Sequence, residues 1–358
     1  MIDEIFIEHF RGFSSTHITG LKRVNVIVGK NASGKTALLE SIFLSAGAAG
    51  PQVTLQLRAL RQLGNILQIV GEPSAYRSLW EDLFHWFDQD KTVSIKIVGS
   101  NADSRSMRVL YEDSPSQLLP FGLDASSSSR PLSTTLMPQV LFEWQRGDDP
   151  PIQVRPKIGP RGFEFEGASA EHFPVIMFSP HATDAPDENA KRFSGLSKTG
   201  KISSIVRILR AEYPFIRSLS IEYSGTVPTV HASLTHNYGK KIPVALISDG
   251  INRLLSIMLG IGTFPKGAIL IDQIEDGFYY ARMPSIWKAL YRLAQLNEAQ
   301  IFATTHSLEC LSALQEAMRG NENDFSLIYA QKENGVCKIT TTKGKFFEAT
   351  IKQGFDPR

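Results

Sequence analysis

The chain has 358 residues, of which 42% are hydrophobic and 21% charged, and its formal net charge is +2 at pH 7. This length is sufficient for a large core and for one to three domains. A charge so near zero argues against a protein whose main task is to coat nucleic acid, although it leaves room for a local basic patch.

We expect a cytoplasmic protein that does not bind membranes. No uncharged apolar run reaches the ~18 residues that span a bilayer. The first residues, MIDEIFIEHF, lack the basic start and the long apolar core of a signal peptide. The two cysteines, Cys310 and Cys337, form neither a disulfide framework nor a zinc-binding pattern.

The first predicted elements surround a glycine-framed loop. Residues 4–10 and 24–28 are predicted strands, and apolar residues recur at helical spacing from Leu38 to Ile42, so a helix should begin where the loop ends. The loop fits the pattern G-x-x-x-x-G-K-[ST] through Gly29, Lys30, Asn31, Ala32, Ser33, Gly34, Lys35 and Thr36.

This pattern predicts a nucleotide site. Successive N–H groups of such a loop point at the β-phosphate, and the helix that follows adds positive potential. Lys35 would bridge the β- and γ-phosphates of ATP, and the Thr36 hydroxyl would ligate Mg²⁺. The alternative is an ordinary glycine turn, which the strand before the loop and the helix after it make less plausible.

The middle of the chain has a different character. Short β-like runs alternate with segments rich in Pro, Gly and Ser, and residues 124–131 are predicted to be a flexible loop. The predicted elements are helical stretches at 54–70 and 202–213 and β-like segments at 92–98, 139–144 and 216–244.

Towards the C-terminus, helices and strands alternate. The predicted order is helix 249–262, strand 268–272, helix 284–296, strand 300–304, helix 308–318 and strand 325–330. This order predicts an α/β fold with a mostly parallel sheet and helices packed on it. Asn334 and Gly335 form a dipeptide typical of a hairpin turn.

Asp272 ends a predicted strand of four apolar residues. Hydrophobic strands often end in Asp because a turn follows, but beside a phosphate loop this residue is a candidate partner for Mg²⁺. Because Lys35 and Asp272 stand 237 positions apart, one crossover cannot join them. We therefore predict an ATPase head formed by residues 1–45 and 200–358, with an inserted lobe at 46–199.

Two further segments lie near this aspartate in the chain. Ser248, Asp249 and Gly250 begin a helix and could offer donors to an anion, or they could simply form its N-cap. His306 follows the next strand, so it should lie at the same edge of the sheet as Asp272. A lone histidine is more often structural.

Together these segments resemble the ABC-type ATPases, in the branch that contains chromosome-condensing, recombination and OLD-like (overcoming lysogenization defect) ATPases. FRGF, SDGINRLL, LIDQIEDGFYY and ATTHSLEC look most like short prokaryotic OLD-like ATPases of anti-phage systems. The resemblance covers residues 1–45 and about 245–315. It implies an ABC-type head with a mixed β-sheet flanked by helices.

The resemblance also implies roles for individual residues. Ser248, Asp249 and Gly250 would form the signature motif, which binds the γ-phosphate on the opposite subunit. Asp272 would be the Walker B aspartate, and His306 the switch histidine. Such heads sandwich two ATP molecules in a head-to-tail pair, which implies a homodimer or a larger assembly.

The chain departs from the OLD pattern in two places. The C-terminal nuclease domain of OLD proteins is not expected here, so a separate effector such as a nuclease or toxin would act in trans. Gln273 stands where relatives usually have the glutamate that accepts a proton from the attacking water. A neutral amide cannot accept that proton, so hydrolysis should be slow.

Gln273 has two explanations, a natural loss of turnover or a Glu→Gln change introduced to trap the ATP-closed state. The otherwise complete site favours the introduced change. Glu275 is a substitute candidate for the base, although two positions further along it should point elsewhere.

These observations lead to three candidate functions. The leading prediction is a dimerising ATPase that serves as sensor or scaffold for an effector in anti-phage defence. The others are a DNA repair or recombination ATPase that clamps DNA, and a nucleotide-gated interaction module without hydrolysis. Since 38 basic residues oppose 36 acidic ones, any DNA site must be a local patch.

Overall fold

The computed structural model describes residues 1–46, 52–61, 79–100, 103–116, 137–159, 162–166, 173–180, 186–236 and 239–344. The loop predicted at 124–131 lies outside these ranges, as do residues 62–70 of the helical stretch predicted at 54–70. None of the helices within them is long and apolar enough to cross a membrane.

The strands, in chain order, are β1 (Ile2–Phe10), β2 (Phe13–Ile18), β3 (Val24–Val28), β4 (Val93–Gly99), β5 (Ser104–Ser116), β6 (Met137–Arg146), β7 (Ile152–Gly159), β8 (Gly162–Glu166), β9 (Val175–Phe178), β10 (Ile216–Ser224), β11 (Val227–Leu234), β12 (Lys241–Pro243), β13 (Ala268–Ile271), β14 (Gln300–Thr304), β15 (Phe325–Glu333) and β16 (Val336–Lys343). The α-helices within the described ranges are α1 (Lys35–Ala46), α2 (Gln52–Leu60), α3 (Pro186–Lys198), α4 (Ile202–Glu212), α5 (Val244–Ile247), α6 (Asp249–Thr263), α7 (Met283–Leu296) and α8 (Leu308–Ala317).

A six-stranded sheet forms the centre of the molecule, in the order β16-β15-β3-β14-β13-β9. Its strands run parallel except for β16, which returns antiparallel beside β15. The three middle strands, β3, β14 and β13, are buried at every position, as expected for strands covered on both faces.

Alternate residues of these middle strands pack into two cores. On one face, Val24, Val26 and Ile269 contact the apolar sides of α6, α7 and α8. On the other face, Ile27 and Leu270 contact α1 and a second sheet. The central sheet is therefore the middle layer of three, which is a stable way to bury both of its faces.

The second sheet is antiparallel and has seven strands, in the order β2-β1-β4-β5-β6-β7-β8. The N-terminal hairpin β1–β2 pairs with β4 along six residues of β1, from Ile2 to Glu8. Strands from the predicted inserted lobe thus extend a sheet that begins in the predicted head, and β9 pairs with β13 in the central sheet. The division into head and lobe stays a prediction.

A third, three-stranded sheet, β10-β11-β12, packs against α3 and leads through the single turn α5 into α6. The predicted α/β class, with a mixed sheet flanked by helices, is confirmed. The predicted C-terminal helices and strands agree with the structure within one to three residues; the predicted strand 268–272 ends at Ile271, so Asp272 is the first residue beyond it.

Candidate nucleotide site

The phosphate loop joins β3 to α1, and neither of its two glycines can be replaced by a larger residue. Gly29 has φ +145°, and a Cβ there would lie 2.0 Å from the carbonyl oxygen of Ala330 in β15. Gly34 has φ +99°, and a Cβ there would lie 2.8 Å from Sγ of Cys337 in β16. Both the backbone angles and the close packing therefore require glycine at these positions.

The loop forms one wall of an open cleft of about 580 Å³. The cleft is lined by Gly12, Asn31, Ala32, Ser33, Gly34, Lys35, Thr36, Ala37, Arg61, Asp272, Gln273, Thr304, His306, Lys332 and Cys337. It thus brings together the phosphate loop, the residue after β13 and the end of β14, although these are distant in sequence.

Lys35 is folded back into its own loop. Its Nζ donates hydrogen bonds to the carbonyl oxygens of Gly29 (2.6 Å) and Lys30 (2.9 Å). Burial lowers the pKa of Lys35, and the nearby carboxylates of Asp272 and Glu275 oppose that shift. Ser33 is 2% exposed, and its hydroxyl has no hydrogen-bond partner within the part of the chain that the structure describes. A bound phosphate would accept from both groups.

Asp272 is the centre of a small hydrogen-bond network. Its carboxylate accepts from the Thr36 hydroxyl at 3.0 Å and from the Thr304 hydroxyl at 2.5 Å. Thr304 Oγ1 in turn accepts from the N–H of Gln273 at 2.8 Å. Hydroxyl and carboxylate oxygens beside each other form the hard donor set that Mg²⁺ prefers, so the residues present fit that ion.

Gln273 lies at a turn with an unusual backbone. Its φ is +49°, a left-handed backbone conformation that residues other than glycine rarely adopt. Its carbonyl accepts from Arg253 at 2.9 Å and from the N–H of Asp276 at 3.1 Å. Together with the hydrogen bond from its N–H to Thr304, these contacts fix the backbone of the turn. Gln273 also lines the cleft.

His306 and Glu275 form a pair at the edge of the cleft. Glu275 Oε1 lies 3.2 Å from His306 Nδ1 and accepts from the His306 backbone N–H at 3.1 Å. Glu275 Oε2 is buried and has no hydrogen-bond partner among the described residues. His306 lines the cleft and Glu275 does not. Glu275 therefore contacts the cleft through His306.

The predicted signature residues lie outside the cleft of their own chain. Ser248 and Asp249 are exposed at the start of α6, and the Ser248 side chain makes no capping hydrogen bond. Gly250 is buried against the turn after β13, where a Cβ would lie 2.3 Å from the carbonyl oxygen of Gly277. An exposed serine and a tightly packed glycine occupy the start of this helix.

Two family models match the chain. One, described as "AAA domain, putative AbiEii toxin, Type IV TA system", matches residues 169–312, and one described as "AAA domain" matches residues 4–116. The first includes Asp272 and His306, and the second includes the phosphate loop. By sequence, the chain is related to AAA-type P-loop ATPases.

Several individual proteins are also similar to this chain. An ATP/GTP phosphatase of Helicobacter pylori is 22% identical over 91% of this chain and 90% of its own length. The DNA replication and repair protein RecF of Ligilactobacillus salivarius is 43% identical over 47 residues, which are 13% of this chain and 12% of RecF. The SMC head domain of Thermotoga maritima aligns with 96% of this chain and 99% of its own, at 10% identity and a TM-score of 0.43.

Several residues of the cleft were not predicted from the P-loop ATPase motifs. Thr304 precedes the predicted switch histidine by two positions, and Gly12, Lys332 and Cys337 approach the loop from two hairpins. Thr304 stands within the ATTHSLEC segment, whereas Lys332 and Cys337 carry no local pattern, because they meet the phosphate loop only through the pairing of distant strands. Of the sequence motifs, FRGF is the one that contains Gly12.

Arg61 also lines the cleft, from the end of α2. Its guanidinium donates to both oxygens of Glu40, at 2.5 Å and 2.8 Å, and Arg11 bonds to the same carboxylate. Glu40 lies on α1 and is 1% exposed. Burial, and then the charge of Arg61, lower the pKa of Arg11 to about 9. A buried carboxylate thus fixes two arginines behind the phosphate loop.

Proposed function

We propose that this chain binds Mg-ATP in the cleft and acts as an ATP-dependent, dimerising ATPase with slow hydrolysis. The observation that carries this proposal is the meeting of three features in one cleft: the phosphate loop at the start of α1, the Lys35 ammonium, and the oxygens of Thr36 and Asp272. Charged donors facing acidic oxygens across one cleft are suited to a nucleoside triphosphate with its magnesium.

In this proposal, each residue has one task. Lys35 leaves the carbonyls of Gly29 and Lys30 and donates to the β- and γ-phosphates, whose charge outweighs that of two carbonyl oxygens. Thr36 and Asp272 would hold Mg²⁺, and a bound Mg²⁺ would neutralise charge on the phosphate oxygens. Thr304 keeps the carboxylate of Asp272 oriented.

Slow hydrolysis follows from Gln273. Its amide can orient a water molecule but cannot take up its proton. The pair of Glu275 and His306 is the nearest alternative acceptor, but Glu275 already accepts from the His306 backbone and lies outside the cleft lining. We therefore propose that Gln273 stands at the position of the catalytic base and limits turnover.

The biological role that we propose is that of an OLD-like sensor or scaffold in anti-phage defence. Two heads would pair head to tail, with Ser248, Asp249 and Gly250 of each facing the γ-phosphate held by the other. A separate nuclease or toxin would be the effector. Support comes from the toxin–antitoxin description of the family model over residues 169–312 and from the exposure of Ser248 and Asp249.

Two other functions have weaker support. The short match to RecF favours an ATPase that acts on DNA in repair or recombination. Gln273 favours an interaction module that closes on ATP without hydrolysing it. Salt-dependent DNA binding would indicate the former, and turnover below any detectable rate the latter.

The nucleotide site is tested by replacing Lys35 with alanine. Loss of this cation should weaken ATP binding about ten-fold or more, the scale of a lost charge-assisted contact. Isothermal calorimetry with Mg-ATP measures the change. Lys288→Ala, which removes an exposed lysine from α7, is the matched control and should leave the affinity unchanged. Equal affinities for the two variants would refute the site.

A further inference from the structure

Two neighbouring aromatic residues, Trp86 and Phe87, lie on the surface in an unusual conformation. They are 64% and 63% exposed, and their φ angles are +55° and +59°. Bulky side chains rarely adopt a left-handed backbone, and such residues persist only where their surroundings impose the conformation. An exposed indole held in this way calls for a functional explanation.

The segment is anchored to the turn between β1 and β2. His85 Nδ1 donates to the carbonyl oxygen of Arg11 at 2.6 Å, and the Arg11 N–H donates to the carbonyl oxygen of Leu83 at 3.0 Å. Phe84 is buried and forms a bridge with Phe10 at the end of β1. These contacts hold the segment that carries Trp86 against Arg11, the neighbour of Gly12, which lines the nucleotide cleft; Trp86 itself lies beyond that lining.

The Trp86 ring also covers the turn between β15 and β16. A Cβ placed at Gly335 would lie 2.6 Å from Cζ2 of Trp86. In the same hairpin, Lys332 and Cys337 are directly paired and both line the cleft. Trp86 therefore stands beside both hairpins that form the wall of the cleft at this end.

The strand order shows which end of a nucleotide would lie here. The central order β15-β3-β14-β13 places the phosphate-loop strand β3 between the β15–β16 hairpin and the strands that precede Asp272 and His306. The γ-phosphate and its magnesium would lie on the side of Asp272. The sugar and base would then extend to the other side, towards Gly12, Lys332 and Trp86.

We propose that Trp86 stacks on the base of the bound nucleotide. This inference rests on the proposed nucleotide site and adds the contact that holds its base. Stacking on an aromatic ring tolerates any base, because every base has a π-face. The ligand class is therefore a nucleoside triphosphate selected mainly by its phosphates, with GTP bound nearly as well as ATP.

Tryptophan fluorescence offers a direct test in the unaltered protein. The other three tryptophans, Trp80, Trp144 and Trp287, are at most 5% exposed, so acrylamide should quench Trp86 almost alone. Saturating ATP should protect Trp86 from quenching by acrylamide. Inorganic tripolyphosphate, which occupies the phosphate loop but has no base, should give no protection. Equal effects of the two ligands, or an effect of neither while both bind, would overturn the inference.

Substitution provides the second test. Trp86→Gly removes the ring and suits the left-handed backbone; it should weaken ATP binding about ten-fold while tripolyphosphate binds as before. Trp86→Phe should restore most of the affinity. Tyr223→Ala, which removes a 72% exposed ring elsewhere, is the control.

The affinities of these variants for ATP and for tripolyphosphate are measured by isothermal calorimetry, and each outcome has one meaning. Loss confined to ATP supports stacking. Equal loss of both ligands shows that Trp86 only supports the hairpin, and no loss of either shows that it does not contact the base; both refute the inference. Failure of the unaltered protein to bind either ligand would instead refute the nucleotide site itself.

Discussion

Arg253 connects the start of α6 to the turn that carries Gln273. Its guanidinium donates to the carbonyl oxygens of both Asp272 (3.0 Å) and Gln273 (2.9 Å). Burial lowers the pKa of this arginine, while Asp276 and the neighbouring carboxylates oppose the shift. We infer that Arg253 positions Gln273, because it fixes the carbonyl of a residue whose left-handed backbone is otherwise costly.

Arg253→Ala, made in a Gln273→Glu background, should therefore lower kcat for ATP about ten-fold or more and change KM less than three-fold. Steady-state phosphate release measures both constants. Arg23→Ala is a matched control, since Arg23 also donates to two main-chain carbonyls, those of Ala294 and Ala299, away from the cleft. A rise in KM without a fall in kcat would contradict the positioning role.

At this scale the sequence predicts the residues whose role is local. Gly29, Gly34 and Lys35 are recognisable because one loop contains the whole pattern, and Asp272 because it ends an apolar strand. Thr304 and Arg253 were missed, since their hydrogen bonds to Asp272 and Gln273 exist only after β13, β14 and α6 pack together.

At the scale of elements, the burial of Tyr291 in α7 and its hydrogen bond to Asp324, the residue before β15, make stability depend on pH. Tyr291 donates to Asp324 at 2.5 Å and accepts from Gln295 at 2.7 Å. Burial, and then the bond to Asp324, raise the pKa of Tyr291 to about 12. Because the pKa in the folded state exceeds that of the unfolded chain, the contribution of Tyr291 is complete below pH 10 and is lost as the pH rises through 12.

Urea unfolding at pH 9 and pH 11 tests this. From the lower to the higher pH, the unaltered protein should lose about 1 kcal/mol more unfolding free energy than Tyr291→Phe, which has no phenol to ionise. Parallel losses in the two proteins would show that Tyr291 titrates normally.

Strong helical periodicity made α6, α7 and α8 predictable, and their ends agree within two residues. Several elements were not predicted, among them β2, β5, β7, β8, β9 and α3. Helix α3 begins at Pro186 with Asp187 and Glu188 in its first turn, a recognisable start signal that was not used. Strand β9 has only four residues, too few to show a period, and the central sheet determines its conformation.

At the scale of the whole molecule, the layer order could not be predicted. Strands β1 and β2 precede the phosphate loop in sequence, yet they share a sheet with β4–β8 and not with β3. Pairings of this kind depend on long-range contacts that no local pattern encodes. They also carry Gly12 to the cleft.

The proposed head-to-tail pair is tested at Ser248. Because this N-cap position is exposed and its hydroxyl makes no cap bond, Ser248→Asp should leave the monomer folded, and aspartate is a favourable N-cap. Its charge would repel the γ-phosphate on a second copy. Gly250 is unsuitable for this test, since any side chain there would collide with Gly277.

Sedimentation velocity with ATP should show a pair for the unaltered protein and a monomer for Ser248→Asp, with ATP affinity changed less than three-fold. Ser203→Asp, which adds the same charge to the first turn of α4, should still pair. A Ser248→Asp protein that dimerises normally would argue against a role for the signature residues in trans.

The most direct test of tight ATP binding with slow turnover is a single-turnover experiment. Excess protein is mixed with Mg-ATP, and the ATP remaining is followed for this chain and for Gln273→Glu. The chain as it stands should keep its bound ATP, and Gln273→Glu should convert it to ADP roughly 10² times faster, the usual contribution of a positioned base. Equal rates would show that Gln273 is not at the position of the base and would contradict the account.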